Sequence, residues 1–198
     1  DAEETLTALA AADNGSNDWA RERAEAARSD FTAPECAAET TPIKPQRAVK
    51  AVESAVDDDT IVTADSGNNR FWLLNYFQTS APRTYFGSGG VGGMGWAGPA
   101  AVSAAIVTDA DTVAVTGDGG FAMTMTSIET AVEYGVAPTY VVLNDAGLGM
   151  VRQMDEKIPG TDFADTDFVE VTKGLGGDGI LVESPADLES AIETALEA

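Results

Sequence analysis

The sequence predicts an α/β fold, a doubly wound parallel sheet with helices on both faces. Three observations predict it. Strand-like and helix-like segments alternate from about residue 45 to the end. The runs at 61–63, 113–115 and 140–143 are continuously apolar rather than alternating, as suits strands covered on both faces. Loops rich in Gly, Asn and Asp follow the strand-like runs, at 64–69, 87–95, 117–121 and 144–150. In parallel sheets, ligands bind at that rim, outside the carboxyl ends of the strands.

The elements follow in order. Residues 1–12 fit a short helix with Leu6, Leu9 and Ala10 on one face, broken by Asn14-Gly15-Ser16-Asn17. Asp18 suits the cap of a second helix over 19–28. The polar stretch 29–45 contains Pro34, Pro42 and Pro45 and reads as a linker. We therefore expect 1–42 to be the end of an upstream domain plus a linker, and 43–198 to be the main domain. Within the latter, 46–56 is expected to be helical, 60–63 a strand, 69–77 an aromatic-rich helix and 84–86 a short strand. After a glycine loop over 87–95 come an alanine-rich helix at 98–107, a strand at 112–116, a helix at 121–134 and a strand at 139–143. A connector, a short helix at 165–174, a strand at 179–182 and a helix at 185–196 complete the chain. Ser184-Pro185 supplies a cap and a first-turn proline for that last helix.

Composition narrows the function. At 44% apolar residues, the 198-residue chain suits a packed core rather than disorder. No run approaches a membrane span, and the acidic start shows no secretory signal. Beginning at Asp1, the chain reads as a processed or truncated piece of something longer. With 33 acidic against 11 basic residues the net charge is −22, which argues against binding to nucleic acid or anionic membranes. Lysine is restricted to Lys44, Lys50, Lys157 and Lys173, so the surface reads as salt-adapted. One cysteine, Cys36, and no histidine exclude a disulfide framework, a Cys/His zinc site and any histidine triad. Cys36 reads as incidental and the chain as cytoplasmic.

Two loops carry the chemistry. The first is Gly117-Asp118-Gly119-Gly120-Phe121. Asp-Gly between apolar runs is also a hairpin signal, but Phe121, Met125, Ile128 and Val132 recur at helical spacing. The loop is therefore a strand–turn–helix junction. Its glycines allow close backbone approach and its free amides favour an anion. The Asp118 carboxylate would repel a phosphate unless a cation lay between them, and Mg²⁺ commonly takes one or two carboxylates plus phosphate oxygens. The second loop, Asn144-Asp145-Ala146-Gly147-Leu148-Gly149-Met150, offers further oxygens. A right-handed crossover through 121–134 brings it beside Asp118.

This pairing resembles the diphosphate-binding domain of thiamine diphosphate-dependent enzymes. GSGGVGGMGWAGPAA at 87–101, LNDAGLGMVRQ at 143–153 and ADSGNNRFW at 64–72 are similar to segments of the acetolactate synthases. The likeness covers about 43–198, and 1–42 resembles the end of that family's middle domain and linker. The resemblance implies thiamine diphosphate and Mg²⁺ as cofactors. It makes Asp118, Asp145 and the Gly147 carbonyl metal ligands. Gly67, Asn68, Asn69, Gly117, Gly119, Gly120, Leu148, Gly149 and Met150 would lie on or around the diphosphate. The Gly92 carbonyl would receive the aminopyrimidine, and Met94 would prop the cofactor in a bent shape.

The implied reaction is decarboxylation of a 2-oxo acid, pyruvate, with transfer of the two-carbon unit to a second 2-oxo acid. A simple decarboxylase or a pyruvate oxidase is the runner-up. Two positions depart from the family: Asp145 stands where asparagine is usual, and Asn69 where acetolactate synthases commonly have histidine. The added Asp145 charge should strengthen metal binding and slightly weaken unaided anion binding. The family's activating glutamate comes from a pyrimidine-binding domain, usually on a partner subunit, and no segment here resembles that domain. Glu129 and Glu133 lie off the motif positions and read as solvated surface. The resemblance thus implies no catalytic residue in this chain, an inactive isolated chain, and a homodimer or homotetramer in the full-length form.

A dinucleotide-binding domain competes, because Gly87-Ser88-Gly89-Gly90-Val91-Gly92 fits G-x-G-x-x-G. It lacks a well-placed acid: Asp111 precedes the next strand and Asp118 lies within a second glycine turn. A non-catalytic remnant that keeps the fold without metal or cofactor is a third reading, and the intact loops speak against it.

Overall fold

Four parallel strands form the sheet: β1 (Ile61–Ala64), β2 (Tyr85–Gly87), β3 (Thr112–Gly117) and β4 (Thr139–Leu143), in the order β2-β1-β3-β4. This computed structural model describes residues 22, 23, 26, 32–79, 81–154 and 158–198. The helices expected at 1–12 and 19–28 lie outside the described residues, apart from Glu22, Arg23 and Ala26, which are helical. Residues Ala33–Ala198 form one compact unit, and the sheet lies within it.

The helices are α1 (Pro45–Ala55), α2 (Asn68–Tyr76), α3 (Ala97–Val107), α4 (Asp118–Thr124), α5 (Ser127–Tyr134), α6 (Gly149–Met154), α7 (Phe168–Gly174) and α8 (Leu188–Leu196). Pro45 opens α1, where its missing N–H costs nothing. Asp167 caps α7 by accepting from the Glu170 amide at 3.0 Å. Among the described residues no helix is long and apolar enough to cross a membrane.

Strand alternation sorts the core into two layers. Val113 and Val115 of β3 face one way and join Val49, Val52, Val62, Leu73, Leu188 and Ile192, so α1, α2 and α8 cover that face. Ala114 points the other way, onto Ala97 and Ala101 of α3. Small residues let α3 sit close to the sheet: a Cβ on Gly98 would lie 2.8 Å from the Tyr140 ring. The doubly wound architecture is thus as expected.

The strand order places the site. From β1 the chain crosses to β2 on one side, and from β3 it crosses to β4 on the other. The carboxyl ends of β1 and β3 therefore flank a topological switch point, where such sheets bind ligands. The register sets Ala64 beside Val115 and Gly117 beside Leu143, so the loops after β1, β3 and β4 share one rim.

Three expectations are corrected. The helix expected over 121–134 starts at Asp118 and divides into α4 and α5. Ile128 and Glu129 donate to carbonyls only three residues back, and the Thr124 hydroxyl bonds the Gly120 carbonyl at 3.4 Å. Such threonine back-bonding bends helices. Next, 179–182 is not a strand. Apolar character does not supply a ladder partner: Ile180 and Leu181 are 52% and 74% exposed, and only Val182 packs on the core. Last, the connector after β4 contains α6, which its glycines disguised.

The G-x-G-x-x-G stretch does not form a dinucleotide turn. It leaves an edge strand, and α3 begins only at Ala97, after an irregular loop. A dinucleotide turn would pass directly into its helix.

Candidate cofactor site

The β1 end is a buried junction. Asp65, fully buried, follows the strand, and its amide donates to the Val115 carbonyl at 2.9 Å. Its Oδ1 accepts from the amides of Ser66 (2.8 Å) and Trp96 (3.1 Å). Its Oδ2 accepts from the Gly95 amide (2.9 Å) and the Thr116 hydroxyl (2.8 Å). Gly67, at φ +119°, turns the chain into α2 in a conformation that only glycine adopts readily. Asn69 is buried, and its amide donates to the Asp65 carbonyl at 2.9 Å, so it braces the turn. The Ser66 hydroxyl donates to the Gly92 carbonyl at 2.6 Å. The Met94 methyl lies 3.2 Å from the place a Cβ on Gly119 would take, beside Leu148 and Phe163.

The β3 end meets the β4 end through Asp118. Its carboxyl is buried, with 3% of the residue exposed. Oδ1 accepts from the Gly119 amide at 2.8 Å and Oδ2 from the Gly147 amide at 2.7 Å. The two loops singled out in the sequence are thereby joined. Burial pushes the Asp118 carboxyl above the ordinary range; the two amides oppose the shift and the Asp145 charge adds to it. A Cβ on Gly117, at the end of β3, would lie 3.8 Å from the Asn69 side chain. Gly120 faces inward, where a Cβ would collide with Asp65 Oδ2.

The β4 loop exposes Asn144 and Asp145, buries Gly147 and is differently held. Asn144 accepts from the Ala146 amide at 3.1 Å, and Ala146 stands at φ +52°. Gly147 pairs with Asp162 in an isolated antiparallel bridge. The Leu148 amide donates to Thr161 and the Phe163 amide to Ala146, both at 2.8 Å. A Cβ on Gly147 would collide with the Thr161 carbonyl, and one on Gly149 would lie 2.6 Å from Asp145 Oδ2 and 3.3 Å from the Asn68 amide. Arg152 reaches Asp145 Oδ2 at 2.6 Å, the Asp145 carbonyl at 3.0 Å and Asp162 at 3.2 Å. An open cleft runs between Asn68, Asp145, Gly149, Arg152, Gln153 and Asp162. Met150, in the first turn of α6, is half-buried.

The residues fit a hard cation with a phosphorylated ligand. Asp118, Asp145 and the Gly147 carbonyl are all oxygen donors, the set that Mg²⁺ takes. Asp118 is buried, and the Asp145 charge adds to the upward push on its carboxyl, which a divalent ion would relieve. Among the described residues no group of three or more His, Cys, Asp or Glu is placed to hold a metal by itself. Glu129 and Glu133 are exposed, as expected.

Sequence reasoning missed Asp65, Thr116, Arg152 and the 161–163 segment. For Asp65 the signal was an acid ending an apolar strand. For Arg152 and 161–163 there was none, because their contacts depend on how the loop folds back.

Comparisons with known proteins identify the family of this domain. The family model described as "Thiamine pyrophosphate enzyme, C-terminal TPP binding domain" matches residues 65–198. The chain is 34% identical over 167 residues to the "Probable acetolactate synthase large subunit" of Methanococcus aeolicus, covering 78% of this chain and 28% of that protein. It is 33% identical over 162 residues to the acetolactate synthase isozyme 3 large subunit of Escherichia coli K12, with the same coverage, 78% and 28%. Among solved structures it is similar to benzoylformate decarboxylase from Polynucleobacter necessarius, with a TM-score of 0.73 and 25% identity, covering 80% of this chain and 32% of that one. The chain thus spans about 28% of the length of the relatives it matches.

Proposed function

The chain belongs to the thiamine pyrophosphate enzyme family through its C-terminal TPP binding domain, and from that premise we propose that it supplies the diphosphate and metal half of an acetolactate synthase-like site. The observation that carries the reading is the Asp118 carboxylate. It is buried where the β3 and β4 loops meet, bonded to the Gly119 and Gly147 amides and close enough to Asp145 to feel its charge.

Asp118, Asp145 and the Gly147 carbonyl would hold Mg²⁺. Asn68, Gly119, Leu148 and Gly149 border the place for the diphosphate, and Met94 overhangs Gly119. Asn69, Gly117 and Gly120 act from behind, by shaping the turns. Thiamine diphosphate, when bound, supplies the electron sink for decarboxylating a 2-oxo acid, pyruvate, before transfer of the two-carbon unit to a second 2-oxo acid. This chain's residues bind, orient and shield. The activating glutamate belongs to a pyrimidine-binding domain on a partner subunit, in a homodimer or homotetramer. Phe71, Val91, Met94 and Trp96, exposed on α2 and the 88–96 loop, support coverage by such a domain. Residues 1–42 are then the end of a middle domain with its linker, and the −22 charge a salt adaptation. The likeness to benzoylformate decarboxylase favours simple decarboxylation as the second reading.

Calorimetry of the 198-residue chain in molar salt tests the site. Thiamine diphosphate should bind only with Mg²⁺, and Asp118→Asn should abolish that binding. Unchanged binding by this variant, or preferential binding of NAD without metal, overturns the assignment. The isolated chain should form no acetolactate; measurable product would remove the need for a partner domain.

A further inference from the structure

We propose that Asp65 is a positioning residue that sets the Gly92–Trp96 loop over the cleft, and so governs the hold on the thiamine part of the cofactor separately from the diphosphate. The proposal rests on the thiamine diphosphate reading of the site. It starts from the isolation of that loop, which belongs to no helix or strand. Gly92 and Gly95 stand at φ +73° and +77°, so the chain reverses on either side of Met94.

Few bonds tie the loop to the sheet. The Ser66 hydroxyl holds the Gly92 carbonyl at 2.6 Å, and Asp65 takes the consecutive amides of Gly95 and Trp96. The same carboxylate takes the Thr116 hydroxyl on β3, so one side chain locks three segments. Asp65 is fully buried, and each of these partners is an uncharged donor. A carboxylate in such a place is tolerated only when its oxygens are satisfied, which makes the geometry strict. Gly120 makes the room, since a Cβ there would collide with Asp65 Oδ2. The loop in turn carries Met94, whose methyl reaches the space above Gly119. The Asp118–Gly147 contact that joins the metal loops is made by backbone amides, whereas Asp65 reaches the β3 end through the Thr116 hydroxyl.

Asp65→Asn separates the two functions. An amide replaces one acceptor oxygen with a donor, so at least one of the three segments faces a donor of its own kind. The 198-residue chain with Mg²⁺ in molar salt is titrated with thiamine diphosphate and with inorganic diphosphate. The variant should lose about tenfold in affinity for thiamine diphosphate, the size of a lost charge-assisted bond. Its affinity for inorganic diphosphate should stay within about twofold, because the Gly119 and Gly147 amides, not Asp65, hold the Asp118 carboxylate. Thr116→Val removes one donor, keeps the carboxylate, and should show the same selective loss in smaller measure; it serves if Asp65→Asn does not fold. Equal losses for both ligands, or no loss for either, overturn the proposal. A wild-type chain that binds inorganic diphosphate but not its thiamine ester also overturns it, leaving the metal site standing. A wild-type chain that binds neither overturns the cofactor reading, and the Asp65 proposal falls with it.

Discussion

The two halves of the cleft are held by different physics. At the β1 and β3 ends, Asp65, Thr116 and Asp118 are buried and bonded to amides and a hydroxyl. At the β4 end, Asp145 and Asp162 are exposed, with side chains 57% and 79% accessible, and Arg152 ties them. The first half is settled by the same packing that makes the sheet. The second is held by backbone bonds to the 161–163 segment and, at its exposed side chains, by ion pairs that salt and a bound cation can rearrange. A cofactor site built this way has a rigid wall and an adjustable one, and the metal ligands Asp118 and Asp145 belong one to each.

The largest expected effect breaks the rigid wall. Gly120→Ala drives a Cβ into Asp65 Oδ2 and to 2.7 Å from the Thr116 hydroxyl, with no flexible side-chain end to yield. Overpacking of this kind should cost about 3 kcal/mol in urea unfolding of the metal-free chain. Gly90→Ala, where a Cβ meets nothing within 4 Å, should stay within about 0.5 kcal/mol. If both variants unfold alike, the β1 and β3 ends are as yielding as the open loop at Gly90, and the rigid wall is lost from the contrast.

A smaller effect is expected at the adjustable wall. Asp145→Asn removes one exposed charge from the metal loop and leaves Arg152 with Asp162 as its ionic partner. Mg²⁺-dependent binding of thiamine diphosphate should weaken about three- to fivefold at low salt, the scale of one exposed charge interaction. Molar salt should shrink that difference, because the Debye length falls to about 3 Å. A difference that persists unchanged in molar salt would assign Asp145 to the buried half.

The same contrast explains what was legible in the sequence. Buried strands advertise themselves: the runs ending at Ala64, Gly117 and Leu143 are β-branched and largely apolar, and glycine turns follow at the rim. Asp118 and Gly147 could be paired in advance because one short crossover joins their strands. The segment 179–182 misled because apolar character guarantees neither pairing nor burial, and Ile180 and Leu181 stay exposed. Asp65 escaped because its partners lie 30, 31 and 51 residues away, where no local pattern reports them. Arg152 escaped because a charge beside a glycine loop reads as surface until the 161–163 segment folds back on it.

The smallest effect isolates what an ion pair contributes when no ligand competes for it. Arg47 on α1 and Glu189 on α8 pair at 2.7 Å, with side chains 11% and 35% exposed. The bond to Arg47 holds the Glu189 carboxyl below its ordinary range, with burial opposing. A depressed carboxyl pKa contributes stability that is present above the unfolded value and lost as pH falls through the folded one. Glu189→Gln should therefore be less stable than wild type near neutral pH, by about 0.5 kcal/mol given the solvent screening. The two unfolding curves should converge below the glutamate range. Mg²⁺ and thiamine diphosphate should leave the difference untouched, in contrast to Asp145→Asn. If the difference instead survives at acid pH, the buried stem of Arg47 rather than its charge holds α1 to α8. Packing would then account for this pair, and charge alone would no longer distinguish the β4 loop from the rest of the domain.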